Sequence, residues 1–292
     1  MPAVLPEGVR LVRRQDEDYP DALRQIHAPP QLLYVRGALP DPKKKSVAIV
    51  GARACSAYGK AEAVRFAREL AAHGVQIISG MAAGIDAWAH HGALEAGGAT
   101  FAVLGTGVDI CYPASSRRIY ERMPREGGGI LSEFSPGDAG EPWHFPVRNR
   151  IISGLADLVL VVEARRKSGS LITADLALEQ GRTVFAVPGR NADRTSEGCN
   201  YLIAQGAGIA TDPGAILCEL GLNVTAAKTP RVIAGGTALE ERILSLLREG
   251  ERNLDQLLAD TKASQKELSS ALLHLRLNGA VAERVRGFYS CI

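Results

Sequence analysis

Between Trp143 and Ser170 the chain crowds together Trp143-His144-Phe145-Pro146-Val147-Arg148-Asn149-Arg150, an apolar run, and the turn Ser168-Gly169-Ser170. These residue types suit a polyanion that carries bases. Guanidinium forks match phosphate oxygens, bare backbone N–H groups at a helix start accept anions, and aromatic rings stack on bases. Nucleic acid is therefore the first ligand to consider, with phosphate as the group recognised.

Other chemistries meet obstacles of spacing. From Gly51 to Gly59-Lys60 the gap is too long for a Walker A loop, and Ala61 stands where the magnesium-binding hydroxyl belongs. Neither Gly51-Ala52-Arg53 nor Gly105-Thr106-Gly107-Val108-Asp109-Ile110 completes the G-x-G-x-x-G dinucleotide fingerprint. His90 and His91 are adjacent, so their rings leave a helix on different faces, and no H-E-x-x-H pattern accompanies them. No metal and no cofactor is expected. Asp86, Asp109, Glu133 and Glu163 fall near strand exits, where they serve either as an acid/base pair or as caps and partners for arginines.

Composition narrows the class. The chain has 292 residues, 46% of them hydrophobic, enough for one large core and a small second domain. Five cysteines without a C-x-x-C pair argue against a disulfide framework. The start Met1-Pro2-Ala3-Val4-Leu5-Pro6 lacks a signal-peptide pattern and no apolar run is long enough to span a bilayer, so the expectation is a cytoplasmic protein with no membrane contact. A net charge of +2 does not announce a nucleic-acid binder. Residues 43–220 hold 19 basic against 18 acidic groups and residues 238–292 hold 8 against 8, so any basic site must be local. The local clusters are Arg117-Arg118, Arg148 with Arg150, and Arg165-Arg166-Lys167.

Positioning of these groups falls to an α/β fold. Short β-branched runs at Val47–Val50, Val75–Ile78, Phe101–Leu104, Ile130–Leu131, Leu158–Val162 and Val184–Val187 alternate with helical patterns, which predicts a doubly wound, mostly parallel, Rossmann-like sheet. The segment Ala57–His73 reads as a helix with Val64, Ala67, Leu70 and Ala71 on one face and Gly74 as its stop. In such sheets ligands collect outside the carboxyl ends of the strands. Glycine or serine stands at most of those exits: Gly51-Ala52-Arg53, Ser79-Gly80, Gly105-Thr106-Gly107 and Ser168-Gly169-Ser170.

Four segments are expected. Residues 1–42 form an extended segment packed on the core, 43–220 the Rossmann-like domain, 221–237 a linker, and 238–292 a winged-helix-like module of three helices and a hairpin turning at Gly287. Its third helix, with Ser264, Gln265, Lys266 and Arg276, is the DNA-reading element if the module reads DNA; its zero net charge favours packing or partner contact instead.

The ordered set Gly51-Ala52-Arg53, Ser79-Gly80-x-Ala82-x-Gly84-Ile85-Asp86, Ala89-His90, Gly105-x-Gly107-x-Asp109, Tyr112-Pro113, Phe145-Pro146-x-Arg148-Asn149-Arg150, Ser168-Gly169-Ser170-Leu171 and Val187-Pro188-Gly189 resembles the bacterial DNA-processing protein A family (DprA, or Smf) over about residues 17–220. The tail resembles that family's winged-helix domain. The resemblance implies a non-enzymatic homodimer that binds single-stranded DNA, protects incoming strands in natural transformation and loads RecA recombinase. Carried over by position, Arg53 grips phosphate beside a helix start. Arg148 and Arg150 line the same basic pocket with Asn149, Gly51, Ser79 and Gly80, and Ser168, Gly169 and Ser170 supply backbone and hydroxyl donors. Phe145 or Trp143 stacks on a base, an inference from residue type for which core packing is an equal alternative. The resemblance also places a dimer patch around Ala215–Leu220. Two departures stand out: Tyr112-Pro113-Ala114-Ser115-Ser116 lacks the asparagine of the usual Tyr-Pro-x-x-Asn, and no helical module is read before Val9.

Two rival readings remain at this level. Ser168-Gly169-Ser170 followed by Glu179 faintly resembles the glycine-rich turn of nucleoside-monophosphate phosphoribohydrolases, and the C-terminal module taken alone reads as a winged-helix regulator of duplex DNA.

Overall fold

Each of the six apolar runs forms a strand because its β-branched residues are buried on both faces, as central parallel strands require. The computed structural model describes residues 5–222, 237–277, 280–285 and 287–291. The chain divides into two compact units, residues 1–224 and 225–292. The expected linker falls almost wholly outside the described residues.

In the first unit the order is β1 (Val9–Arg13), α1 (Asp21–Arg24), β2 (Leu32–Gly37), β3 (Ser46–Val50), α2 (Ala57–Ala72), β4 (Gln76–Ser79), α3 (Ile85–Glu95), β5 (Thr100–Val103), α4 (Arg117–Arg122) and β6 (Gly129–Ser132). There follow α5 (His144–Gly154), β7 (Leu158–Val161), α6 (Gly169–Glu179), β8 (Thr183–Ala186), α7 (Glu197–Ala204), β9 (Gly208–Ile209) and α8 (Pro213–Glu219). Among the described residues, nine strands form one sheet in the order β1-β2-β6-β5-β4-β3-β7-β8-β9. It is parallel from β6 to β9, while β1 and β2 pair antiparallel with each other and β2 antiparallel with β6. Residues 1–42 thus do more than pack against the core: they supply two strands of the sheet.

Strand order decides where a ligand goes. From β3 the chain winds one way through β4, β5 and β6, then returns to lay β7, β8 and β9 on the other side. The two halves diverge between β3 and β7, and loops leaving a sheet at such a switch point part to open a crevice.

One core cluster, with Ile78, Phe101, Ile151 and Val159, lies on one face of the sheet; a second, with Ile49, Phe66, Ile77 and Leu160, lies on the other. Helix α2 buries Ala63, Phe66, Ala67, Leu70 and Ala71, a stripe offset from the expected one so that Val64 is only half-buried. Phe66 is fully buried and contributes about 3 kcal/mol of burial free energy.

In the second unit α9 (Ala238–Glu249), β10 (Arg252–Asn253), α10 (Leu254–Thr261), α11 (Gln265–Leu277), β11 (Val281–Val285) and β12 (Phe288–Cys291) form a winged helix. Thr237 with Glu240, and Asn253 with Gln256, close capping boxes on α9 and α10, and Ile243, Leu247, Leu257, Leu268 and Leu272 make the core.

Candidate functional site

A cleft of about 460 Å³ opens at the switch point. The β3 exit contributes Gly51, Ala52 and Arg53; α5 contributes Phe145, Pro146, Arg148, Asn149 and Ile152; the β7 exit and the start of α6 contribute Arg165, Lys167, Ser168, Gly169 and Ser170. Of these, Phe145, Arg148, Asn149 and Ile152 are spaced i, i+3, i+4 and i+7, one face of α5.

The three arginines of the sequence pattern take three different places. Arg53 is exposed, holds its guanidinium 5.6 Å from the Phe145 ring centroid, and among the described residues enters no ion pair. Arg148 forms the floor: it is 4% exposed and donates to the carbonyls of Gly80, at 2.8 Å, and Val103. Burial lowers its pKa to about 10, with Arg53 adding to the depression and Asp86 opposing it, so the side chain remains a cation at neutral pH. Arg150 lies outside the cleft. Two positions along a helix turn a side chain by about 200°, so it leaves α5 on the far face from Arg148. There it pairs with both carboxylate oxygens of Glu133 at 2.6 Å and donates to Ala28.

Ser79 and Gly80 lie beneath the cleft rather than on its wall. The Ser79 hydroxyl donates to the Ile49 carbonyl at 2.6 Å, and the Gly80 N–H donates to Asp86 at 3.1 Å. A Cβ on Gly80 would lie 2.7 Å from the Arg148 guanidinium and 2.8 Å from the Asp86 carboxylate, so only glycine lets both groups close over this point. Burial pushes the Asp86 pKa up while Arg148 pulls it down. Asn149 ties α5 to α6 by donating to the Gly169 carbonyl at 3.3 Å, and Ser168 caps α6 by accepting from the Ser170 N–H. That helix start, beside Lys167 and opposite Arg53, is where an anion gains most from backbone N–H groups.

Aromatic groups edge the cleft. The half-buried Phe145 ring lies against Gly105 and 5.6 Å from Tyr112, which is 51% exposed; Trp143 is 55% exposed and donates to Glu141 at 2.6 Å. Among these, only Phe145 lines the cleft. Arg165 and Lys167 are wall residues that the motif reading did not single out, although the basic run before Ser168 signalled them. The four carboxylates are occupied separately: Asp86 below Gly80, Asp109 by the Gly137 N–H, Glu133 by Arg150 and Glu163 by Ser56. Among the described residues, no group of three or more potential ligands gathers as a metal site, and no helix is long and apolar enough to cross a membrane.

His90 sits in the same buried layer. Its Nδ1 meets the Thr100 hydroxyl at 2.7 Å, and because that hydroxyl donates to Ile77, the ring carries its proton on Nδ1. Among the described residues its Nε2 has no hydrogen-bond partner. Burial, reinforced by Arg148, holds the His90 pKa at about 3 rather than 6.5. The unfolded chain therefore binds a proton below pH 6.5 that the folded one refuses, and stability falls as pH drops from 6.5 toward 3. Urea midpoints measured across that range should decline, and a His90→Gln variant should show a shallower decline; identical slopes would assign acid sensitivity to other groups.

The model of the DNA recombination-mediator protein A family matches residues 10–221, most of the chain. The chain belongs to that family. A model of the DprA winged-helix domain matches residues 227–285. The recombination-mediator relative from Streptococcus pneumoniae, DNA processing protein DprA, is 44% identical over 204 residues, covering 70% of this chain and 72% of that protein. A solved structure of DprA from that organism superposes with a TM-score of 0.68 at 41% identity over 73% of this chain and 75% of the other. The DNA processing protein A of Helicobacter pylori, solved for its single-stranded DNA binding mode, superposes at 0.64 with 30% identity over 73% of this chain and 95% of its own. In this member of the family, the motifs at Gly51–Arg53, Phe145–Asn149 and Ser168–Ser170 are the parts that meet at the cleft.

Proposed function

We propose that this protein binds single-stranded DNA in the cleft between the β3 and β7 exits, with little sequence preference, and delivers the strand to RecA recombinase during natural transformation. It works in the cytoplasm, as its recombinase partner requires. The observation that carries the reading is Arg53: an exposed guanidinium without an ion pair among the described residues, set across the cleft from the α6 N-terminus and against the face of Phe145. Phosphate lies between Arg53, Lys167 and Ser168–Ser170, and Phe145 offers its ring to a base. The strand-binding mode described for the Helicobacter pylori relative supports the ligand class.

The strand leaves the cleft chemically unchanged. The carboxylates at the strand exits are each held by protein donors, and Glu179, the acid the hydrolase reading needs, stands ten residues into α6, about 15 Å along the helix axis from Gly169. In the second unit Arg276 of α11 is paired with Glu283 at 3.0 Å, which removes a cation from any duplex-reading face. A gel-shift competition tests the reading: single strands should displace a labelled oligonucleotide far better than the same sequence as duplex. Duplex preference would transfer binding to the winged helix, and release of free base from nucleoside monophosphates would support the hydrolase.

The protein acts as a homodimer in this proposal. Helix α8 is a poor contact because Ile216 and Leu217 are buried within the unit. Among the described residues β9 pairs on one side only, with β8, and Ile209 there is 51% exposed. Ile209→Asp should convert the dimer to a folded monomer in light scattering; an unchanged mass would place the contact elsewhere.

A further inference from the structure

Glu163 is a buried carboxylate that among the described residues has no ion pair, although it follows β7 at the edge of a basic cleft. It is 3% exposed. Its charge is held by Ser56, whose N–H donates to Oε2 at 2.8 Å and whose hydroxyl donates to Oε1 at 2.5 Å. The Ser56 hydroxyl oxygen in turn accepts the Gly59 N–H at 3.0 Å, closing the first turn of α2 over the carboxylate. A Cβ on Gly59 would lie 2.3 Å from the carboxyl carbon, so the helix touches the acid with its backbone. The Glu163 carbonyl accepts the Ala52 N–H at 2.7 Å. Both ends of the short loop from Ala52 to Ser56 are therefore fastened to one residue, and Arg53 lies between them.

We infer that Glu163 is the positioning residue for Arg53, and that its carboxylate fills the start of α2 so that phosphate is directed to the start of α6 instead. A helix N-terminus favours one anion strongly, and here the protein supplies its own at α2. Arg53 is left pointing into the cleft from a loop that cannot swing, which lowers the ordering cost of binding.

The inference rests on the Arg53 reading above and predicts a sign that simple electrostatics does not. Removing a negative charge beside a phosphate site should strengthen binding through the field alone. Loss of positioning should weaken it. In the full chain, Glu163→Gln should bind fluorescent oligo-dT about tenfold more weakly, the scale of hydrogen bonds to a charged group. In an Arg53→Ala background the same change should cost less than about twofold, because the two act through one contact. Equal or tighter binding by Glu163→Gln, or losses that multiply in the double variant, would overturn the role. If circular dichroism shows Glu163→Gln unfolded, Ser56→Ala takes its place: weaker binding restored by Ser56→Thr supports the role, and unchanged binding refutes it. Wild-type affinity in Arg53→Ala would instead sink the site reading itself, whereas a weakened Arg53→Ala beside an unaffected Glu163→Gln would remove only the positioning role.

Discussion

Replacing Arg53 with alanine should weaken binding of oligo-dT by about 10- to 100-fold, the loss expected when a charge-assisted hydrogen bond to phosphate goes. The same change should flatten the plot of log affinity against log salt by about 0.7, because one phosphate is no longer neutralised and one fewer counterion is released. Stability should hardly move, within about 0.5 kcal/mol, since the side chain is exposed and among the described residues has no ion pair to break. Fluorescence anisotropy over a salt titration, with a thermal melt beside it, reads all three quantities. An unchanged affinity and slope would remove Arg53 from the interface.

Arg148→Ala should give the opposite signature. Its guanidinium is 4% exposed and satisfies the carbonyls of Gly80 and Val103, beside the buried Asp86 carboxylate. Truncation leaves two buried acceptors unmet and the acid without its neighbouring cation, a loss of about 3–5 kcal/mol. For a unit of this size that lowers Tm by roughly 10 °C. Arg148→Lys should rescue little, because a compact, strongly hydrated ammonium costs more to bury than the guanidinium whose single nitrogen meets both carbonyls. A melt within a degree of the parent, together with weakened DNA binding, would show that Arg148 is a ligand contact after all. The pair Arg53 and Arg148 thus separates a group that meets the ligand from one that builds the floor beneath it.

Much of the fold was legible because it depends on neighbours close in sequence. The run Val47-Ala48-Ile49-Val50 lies within a strand of the structure, and Gly74, with φ +81°, ends the Ala57–Ala72 helix as its position predicted. The winged-helix elements likewise follow from leucines recurring at helical spacing. The residues 1–42 were harder. Val9–Arg13 and Leu32–Gly37 alternate weakly and form strands chiefly because they pair with each other and with β6, a partner nearly a hundred residues away.

The candidate site was legible as a set of residue types and illegible as an arrangement. Arg148 and Arg150 look equivalent in Phe145-Pro146-Val147-Arg148-Asn149-Arg150, and the helix beginning at His144 turns them to opposite sides. Glu163 resembles any acid at a strand end until Ser56, separated from it by 107 positions, proves to be its partner.

By itself the sequence determined the six central strands of the α/β unit, the winged helix and, through the order of its motifs, the family. Those follow from backbone propensity and side-chain periodicity, which act over a few residues. Tertiary structure alone decided that β3 and β7 are neighbours, that their exits part to open the cleft, and which basic groups face it. A charged side chain is buried or free according to what distant strands bring beside it, and dehydration of an ion is a matter of surroundings in space rather than position along the chain.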